Sequence, residues 1–121
     1  KDNLCIYSYL TMNDMKKIRA TAGDTEDLIN YLREHKDALI VILFREIGKN
    51  KIKINFRTKG NIDILPLARG YNGGGHKFAC GALCSGNLKD VIKLIITDTE
   101  NFIKKNVGLE YSRDQWYASY R

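Results

Sequence analysis

The sequence is short of several things, and each shortage excludes a class of protein. It holds one proline and one tryptophan in 121 residues, and its three cysteines, at positions 5, 80 and 84, are odd in number and lack C-x-x-C spacing. That excludes a disulfide-stapled scaffold and reads as structural, reduced thiols in a cytoplasmic setting. No apolar run approaches the roughly 20 residues of a membrane span, and no charged-then-apolar leader opens the chain, so no membrane contact is expected. Histidine occurs only at positions 35 and 76. What remains is an ordinary globular composition, 44% hydrophobic and 28% charged, with a formal net charge of +6. One domain over residues 1–121 is expected, with an anionic partner favoured by the charge. A start at Lys1 instead of Met reads as an excised fragment.

Along the chain, Leu4 to Leu10 reads as a first strand and Thr11-Met12-Asn13-Asp14 as a helix start. Asp24-Thr25-Glu26-Asp27 supplies acceptors and negative charge ahead of Leu28, Ile29 and Leu32, predicting a helix to about Lys36. His35, late in that helix, reads as a solvated or dipole-paired side chain rather than a metal ligand. Ala38 to Ile47 is nearly continuously apolar, as a strand buried on both faces would be. After Gly48-Lys49-Asn50, the segment Lys51 to Thr58 alternates Ile52, Ile54 and Phe56 with polar residues and reads as its antiparallel partner. Lys53, Asn55 and Arg57 then project from one face, where they could meet a phosphate. A short helix from about Ile64 ends near Gly70, Ala79 to Ser85 reads as another strand, and Leu88 to about Lys105 as an amphipathic helix. The fold class expected is α/β: a single domain with a central mixed sheet, a hairpin from Ala38 to Thr58 at its centre, flanking helices, and a Gly-rich loop exposed at one edge. The tail carrying Tyr111, Trp116, Tyr117 and Tyr120 reads as a docking segment, a sheet edge or a cloning remnant, with its aromatics as core or interface filling in preference to a base-stacking platform.

The feature that asks for an explanation is Gly73-Gly74-Gly75-His76-Lys77. Glycines cost backbone entropy and contribute no packing, so something must approach that backbone closely. Unhindered N–H groups in such a turn can cradle phosphate oxygens, with the imidazole and ammonium adding donors and Arg57 adding a planar fork. Taken alone the run is equally compatible with a flexible connection beside a chance histidine.

Four segments in order, Phe56-Arg57-Thr58-Lys59-Gly60, Asn61-Ile62-Asp63-Ile64, Gly73-Gly74-Gly75-His76-Lys77 and Ala79-Cys80-Gly81-Ala82, resemble the DHHA1 domain that accompanies the DHH domain in phosphoesterases. The match covers about residues 38 to 86, and Thr25-Glu26-Asp27-Leu28 and the closing helix extend it more loosely. It is most similar to the nanoRNase group, oligoribonucleases and 3'-phosphoadenosine-5'-phosphate phosphatases. The resemblance implies a DHHA1-like substrate-binding domain from the C-terminal part of a larger hydrolase. Its absent DHH domain would hold two Mn2+ ions; this chain would contribute no catalytic residue and no metal ligand. By the same resemblance Arg57, Gly73, Gly74, Gly75 and His76 would hold the substrate, with Lys77, Thr58 and Lys59 in second rank. The partners implied are short single-stranded oligonucleotides or phosphorylated nucleotides and the DHH domain of the same protein; a homodimer is left open. The sequence departs from the pattern at Asn72, where a fourth glycine is common, and at Cys80, where alanine is usual. Asparagine tolerates a left-handed backbone, and cysteine acts as a small hydrophobe.

Two other readings of the same features stay open. One is the same domain in a RecJ-like single-strand exonuclease or a cyclic-dinucleotide phosphodiesterase, and the other is a stand-alone nucleic-acid-binding module. Among the remaining residues, Arg45 and Lys53 either extend the basic face to a second nucleotide or are solvated strand residues. Tyr71 either stacks on a base or packs under the loop. Cys80 and Cys84 read as buried rather than reactive.

Overall fold

The computed structural model describes residues 5–18, 26–30, 38–59, 61–106 and 116–118. The chain forms β1 (Cys5–Leu10), α1 (Met12–Ile18), a helical stretch α2 described over residues 26–30, β2 (Ile40–Gly48), β3 (Lys51–Thr58), α3 (Leu65–Arg69), β4 (Gly74–His76), β5 (Ala79–Ser85), α4 (Leu88–Asn106) and β6 (Trp116–Ala118). The strands make one six-stranded sheet in the order β4-β5-β3-β2-β1-β6. It is mixed: β1 runs parallel to β2 and β6, while β2–β3, β3–β5 and β4–β5 are antiparallel. His35 and most of the aromatic tail lie outside the described residues; the tail's Trp116–Ala118 segment is the edge strand β6.

The central position of β2 follows from its composition. Ile40, Val41, Ile42, Leu43 and Phe44 are all buried, so neither face of this strand reaches water. One face of the sheet joins Ile40, Ile42 and Phe44 to Ile52, Ile54 and Phe56 of β3, and packs beneath α3 and α4. Tyr7 meets Phe44 edge to face there, with ring centroids 6.1 Å apart. The other face joins Ile6, Val41 and Leu43 to Ala38 and Ile29 of α2. Two helix starts are closed by side chains: Thr11 and Asp14 cap α1 reciprocally at 2.9 and 3.0 Å, and at α4 the Asn87 side chain accepts from the Asp90 N–H at 2.9 Å and donates to the Asp90 carboxylate at 2.8 Å. The stripe expected on α4 is buried through Val91, Ile95, Ile96 and Ile103. Thr99 completes it with its hydroxyl turned back onto the Ile95 carbonyl at 2.7 Å, so a polar residue sits dry without an orphaned group.

Candidate phosphate-binding face

The second sheet face changes character as it leaves α2. Strand register places Val41, Arg57, Ala79 and His76 side by side across β2, β3, β5 and β4. The next row holds Leu43, Asn55, Gly81 and Gly74, and the one after it Arg45, Lys53 and Leu83. Paired residues of a ladder project to the same side. The apolar floor under α2 therefore gives way to a platform where Arg45, Lys53, Asn55, Arg57 and His76 surround the small residues Ala79, Gly81 and Gly74. The alternation of β3 predicted the Lys53-Asn55-Arg57 part of this arrangement.

The glycine segment departs from the expected loop. Gly74, Gly75 and His76 form the edge strand β4, paired with Gly81, Cys80 and Ala79 of β5, and one side of its backbone has no strand partner among the described residues. The three glycines have three different reasons. A Cβ on Gly73 would stand 2.0 Å from the Gly81 carbonyl oxygen and 2.9 Å from that of Ala68, so the chain itself requires glycine there. Gly75 has φ +133° and a Cβ direction blocked by Ala79 and Cys80. Nothing lies within 4 Å of a Cβ on Gly74. Asn72 takes the left-handed turn at φ 61°, which answers for the missing fourth glycine. The following turn is tied down by the Thr58 N–H donating to the Phe78 carbonyl and the Ile64 N–H donating to that of Lys77, at 3.0 and 2.9 Å.

Arg57 is not an open fork. Its Nη2 donates to both carboxylate oxygens of Glu26 at 2.7 and 2.8 Å, its Nε to one of them at 3.2 Å, and its Nη1 to the Phe56 carbonyl at 2.9 Å. The Arg57 side chain is 11% exposed and that of Glu26 48% exposed. Glu26 thus roofs the arginine from α2, and its charge also opposes the burial that lowers the pKa of Arg45. Arg45 donates through Nη2 to the Asn55 amide oxygen at 3.2 Å, while its Nε is covered and has no hydrogen-bond acceptor.

His76 and Lys77 are exposed at the edge. Thr58 is turned the other way: opposite Ile40, 4% exposed, its hydroxyl donates to the Ile62 carbonyl at 2.7 Å, so it braces the strand end and offers the platform nothing. Lys59 follows β3, its backbone N–H held by the Leu39 carbonyl at 2.9 Å. Tyr71 takes its packing alternative, with its hydroxyl donating to Asp98 of α4 beneath the opposite face. A cleft of about 560 Å3 between α3 and α4, lined by Pro66, Tyr71, Asp98 and Phe102, also belongs to that opposite face, away from Arg57 and His76.

Burial shifts all three thiols toward their protonated form. Burial, reinforced by Glu100, pushes the Cys5 thiol well above its ordinary value, and burial raises Cys84. Cys80 is pushed up to about 11 by burial, with Arg57 pulling down and Asp63 pushing up. Because the thiolate is the reactive form, Cys5 and Cys80 are expected to resist iodoacetamide at pH 8 in the folded chain and to react within minutes in denaturant. Mass spectrometry of the alkylated protein checks this; rapid native labelling of Cys80 would contradict the burial argument.

Sequence reasoning missed Glu26 as part of the site. It reads locally as a helix-start acid, and nothing in the sequence links it to an arginine 31 positions away. The Cys80-Gly81 pair was visible only as part of a motif; the reason for Gly81, whose Cβ would stand 2.7 Å from the Ile54 carbonyl oxygen, emerges from the β3–β5 ladder.

No helix among the described residues is long and apolar enough to cross a membrane. Among the same residues there is no group of three or more His, Cys, Asp or Glu side chains placed to hold a metal ion.

Comparison with known proteins agrees with this architecture. The chain is 35% identical over 89 residues to the bifunctional oligoribonuclease and PAP phosphatase NrnA of Mycoplasma genitalium, covering 72% of this chain and 27% of that protein. It is 32% identical over 98 residues to the protein of the same name from Bacillus subtilis, covering 81% and 30%. The chain therefore spans less than a third of the curated relatives it matches. Among solved structures, an exopolyphosphatase-related protein from Bacteroides fragilis superposes with a TM-score of 0.68 at 28% identity, over 78% of this chain and 29% of that one. The C-Ala domain of Aquifex aeolicus alanyl-tRNA synthetase shares the fold alone, with a TM-score of 0.54 at 14% identity over 75% of this chain and 86% of that domain. With the DHHA1 domain description matching residues 2–105, which takes in every strand of the platform and its roof, the chain belongs to the DHHA1 domain family.

Proposed function

We propose that this chain is the substrate-holding domain of a DHH-type phosphoesterase, gripping the phosphate of a short oligonucleotide or of 3'-phosphoadenosine-5'-phosphate between Arg57, His76 and the glycine edge of β4. The observation that carries the reading is the register itself, which puts Arg57 and His76 in one row on either side of Ala79, beside the unfilled space at Gly74. A guanidinium and an imidazole separated by a small residue leave room for an oxyanion between them, and the bare backbone of β4 can approach it closely. The names of the curated relatives, oligoribonuclease and PAP phosphatase, support the substrate class.

In this reading the hydrolytic chemistry belongs to a DHH domain of the same protein, where two Mn2+ ions would activate water and clamp the leaving oxygen. The described residues of this chain do not form such a centre. Their part is to bind, orient and hold the phosphate in place. In the same reading the protein works in the cytoplasm, a setting with which its free cysteines agree.

The test is a titration of the chain, by calorimetry or NMR, with a 5'-phosphorylated dinucleotide and with the same dinucleotide lacking that phosphate, in moderate salt. Binding should depend on the phosphate and shift the amides of Gly74, Gly75 and His76. His76→Ala should weaken it about 10-fold, the effect of one hydrogen bond to a charged group. Equal affinity for the two dinucleotides would overturn the reading. Affinity growing steadily with strand length would point to a longer-strand exonuclease.

A further inference from the structure

β4 is poorly equipped to hold its own shape. It is three residues long, two of them glycine, and glycine gives up more backbone freedom on ordering than any other residue. Its geometry therefore depends on how its two ends are fixed. Beyond His76 the chain is held by the Ile64 N–H donating to the Lys77 carbonyl at 2.9 Å. Before Gly74 the holds come from α3: the Tyr71 and Gly73 N–H groups both donate to the Ala68 carbonyl, at 3.0 and 2.9 Å, and the Asn72 N–H donates to that of Arg69 at 3.0 Å. These bonds hand the position of the edge to α3, a helix of five residues with Leu67 and Ala68 buried. Toward α4 lies the cleft of about 560 Å3, so the two helices are not packed wall to wall there. Tyr71 and Asp98 both line it, and the bond from the Tyr71 hydroxyl to the Asp98 carboxylate ties its walls together. Asp98 is a firm anchor, because α4 runs for 19 residues and buries Val91, Ile95, Ile96, Thr99 and Ile103 around it.

We propose that Tyr71 and Asp98 are positioning residues for the phosphate site: their hydrogen bond, made on the other face of the sheet from Arg57 and His76, fixes the segment from α3 to Gly73 and with it the backbone of Gly74, Gly75 and His76. The path is short and continuous. It runs from Asp98 through Tyr71 and Asn72 to Gly73, where the backbone lies so close to the Gly81 and Ala68 carbonyl oxygens that no Cβ fits. A shift of Tyr71 is therefore passed to β4 and not absorbed in slack. An edge already held in its binding form spares a ligand the cost of ordering it, and a frayed edge weakens binding by that cost. The inference rests on the reading of β4 as a phosphate-holding edge and adds what keeps that edge in shape.

The experiment uses three variants of the full chain. Tyr71→Phe keeps the packed ring and removes the donor, Asp98→Ala removes the acceptor, and Asp98→Asn keeps an acceptor oxygen while removing the charge. Each is titrated with the 5'-phosphorylated dinucleotide, and its amide hydrogen exchange is followed by NMR without ligand. Tyr71→Phe and Asp98→Ala should each weaken binding about five-fold, the worth of one net hydrogen bond, and the double variant should lose no more than either alone. Exchange at Gly73 to His76 should quicken in the same two variants, with melting temperatures within a few degrees of wild type. Asp98→Asn should behave as wild type in both measurements. If the wild type binds and Tyr71→Phe binds equally well, or if Asp98→Asn loses as much as Asp98→Ala, the tether does not position the site and the proposal falls. A wild-type chain without phosphate-dependent binding overturns the proposed function instead; exchange then decides alone, and unchanged exchange in Tyr71→Phe overturns the tether as well.

Discussion

Gly73→Ala is expected to lower the stability of the chain by about 3 kcal/mol, and Gly74→Ala by no more than about 0.5 kcal/mol, although the two glycines are neighbours. The reason is geometric. At Gly73 the new methyl would collide with backbone oxygens of Gly81 and Ala68, neither of which can rotate away, so β5 or the end of α3 would have to move. Gly75→Ala should resemble Gly73→Ala, through its positive φ and the crowding of its Cβ by Ala79 and Cys80. At Gly74 the methyl would enter open space. Binding should invert the order: Gly74→Ala folds normally but projects a methyl from the platform and should weaken phosphorylated ligands at least about 10-fold. Thermal unfolding followed by titration separates the two effects. A stable Gly74→Ala variant with unchanged binding would mean that no ligand approaches that backbone, and the glycine would then have no account in either fold or site.

These differences bear on how far the sequence could be read. The apolar run of β2, the alternation of β3 and the stripe of α4 are each fixed within a single segment, because burial on two faces, one face or one helical side leaves its own period in the residues. The hairpin of β2 and β3 needs only a short turn, and Asn50 at φ 54° makes it where the neighbouring Gly48 remains in the strand. The edge strand β4 was legible only as a loop. Three residues, two of them glycine, have no alternation to show, and their extended form comes from pairing with β5. β6 was legible only as one of several readings of the tail, a sheet edge, since its partner β1 stands at the other end of the sequence.

The site divides along the same line. Arg57, His76 and the glycines could be named from their motif, and Lys53, Asn55 and Arg57 could be placed on one face by counting. Thr58 could be separated from them by the same count, because it is one residue out of phase with Arg57; its burial agrees with the alternation and not with its place in the motif. What no local pattern contained was the relation between distant charges. Glu26 meets Arg57 across 31 residues, and Arg45 meets Asn55 across the hairpin. Both contacts decide which donors are spoken for and which face outward.

The Glu26–Arg57 pair therefore carries the last expectation. Arg57→Ala should weaken a phosphorylated ligand about 100-fold, by about 2–3 kcal/mol, since it removes a charged, bidentate donor. Glu26→Gln should act in the opposite direction. The carboxylate of Glu26 occupies the fork in the manner of a phosphate, through two oxygens at 2.7 and 2.8 Å, and a ligand must displace it or share the arginine. Because Glu26 is half exposed, the pair contributes at most about 1 kcal/mol to folding, so its loss should leave the melting temperature within a few degrees. Releasing the fork should tighten phosphate binding by up to about five-fold. Titrations of both variants with the same 5'-phosphorylated dinucleotide read the sign directly. Tighter binding in Glu26→Gln identifies the carboxylate as a displaceable occupant of the phosphate site. Weaker binding would make Glu26 a positioning residue that holds the guanidinium flat on the platform, and would leave Arg57 as a donor that needs its acid in order to be aimed.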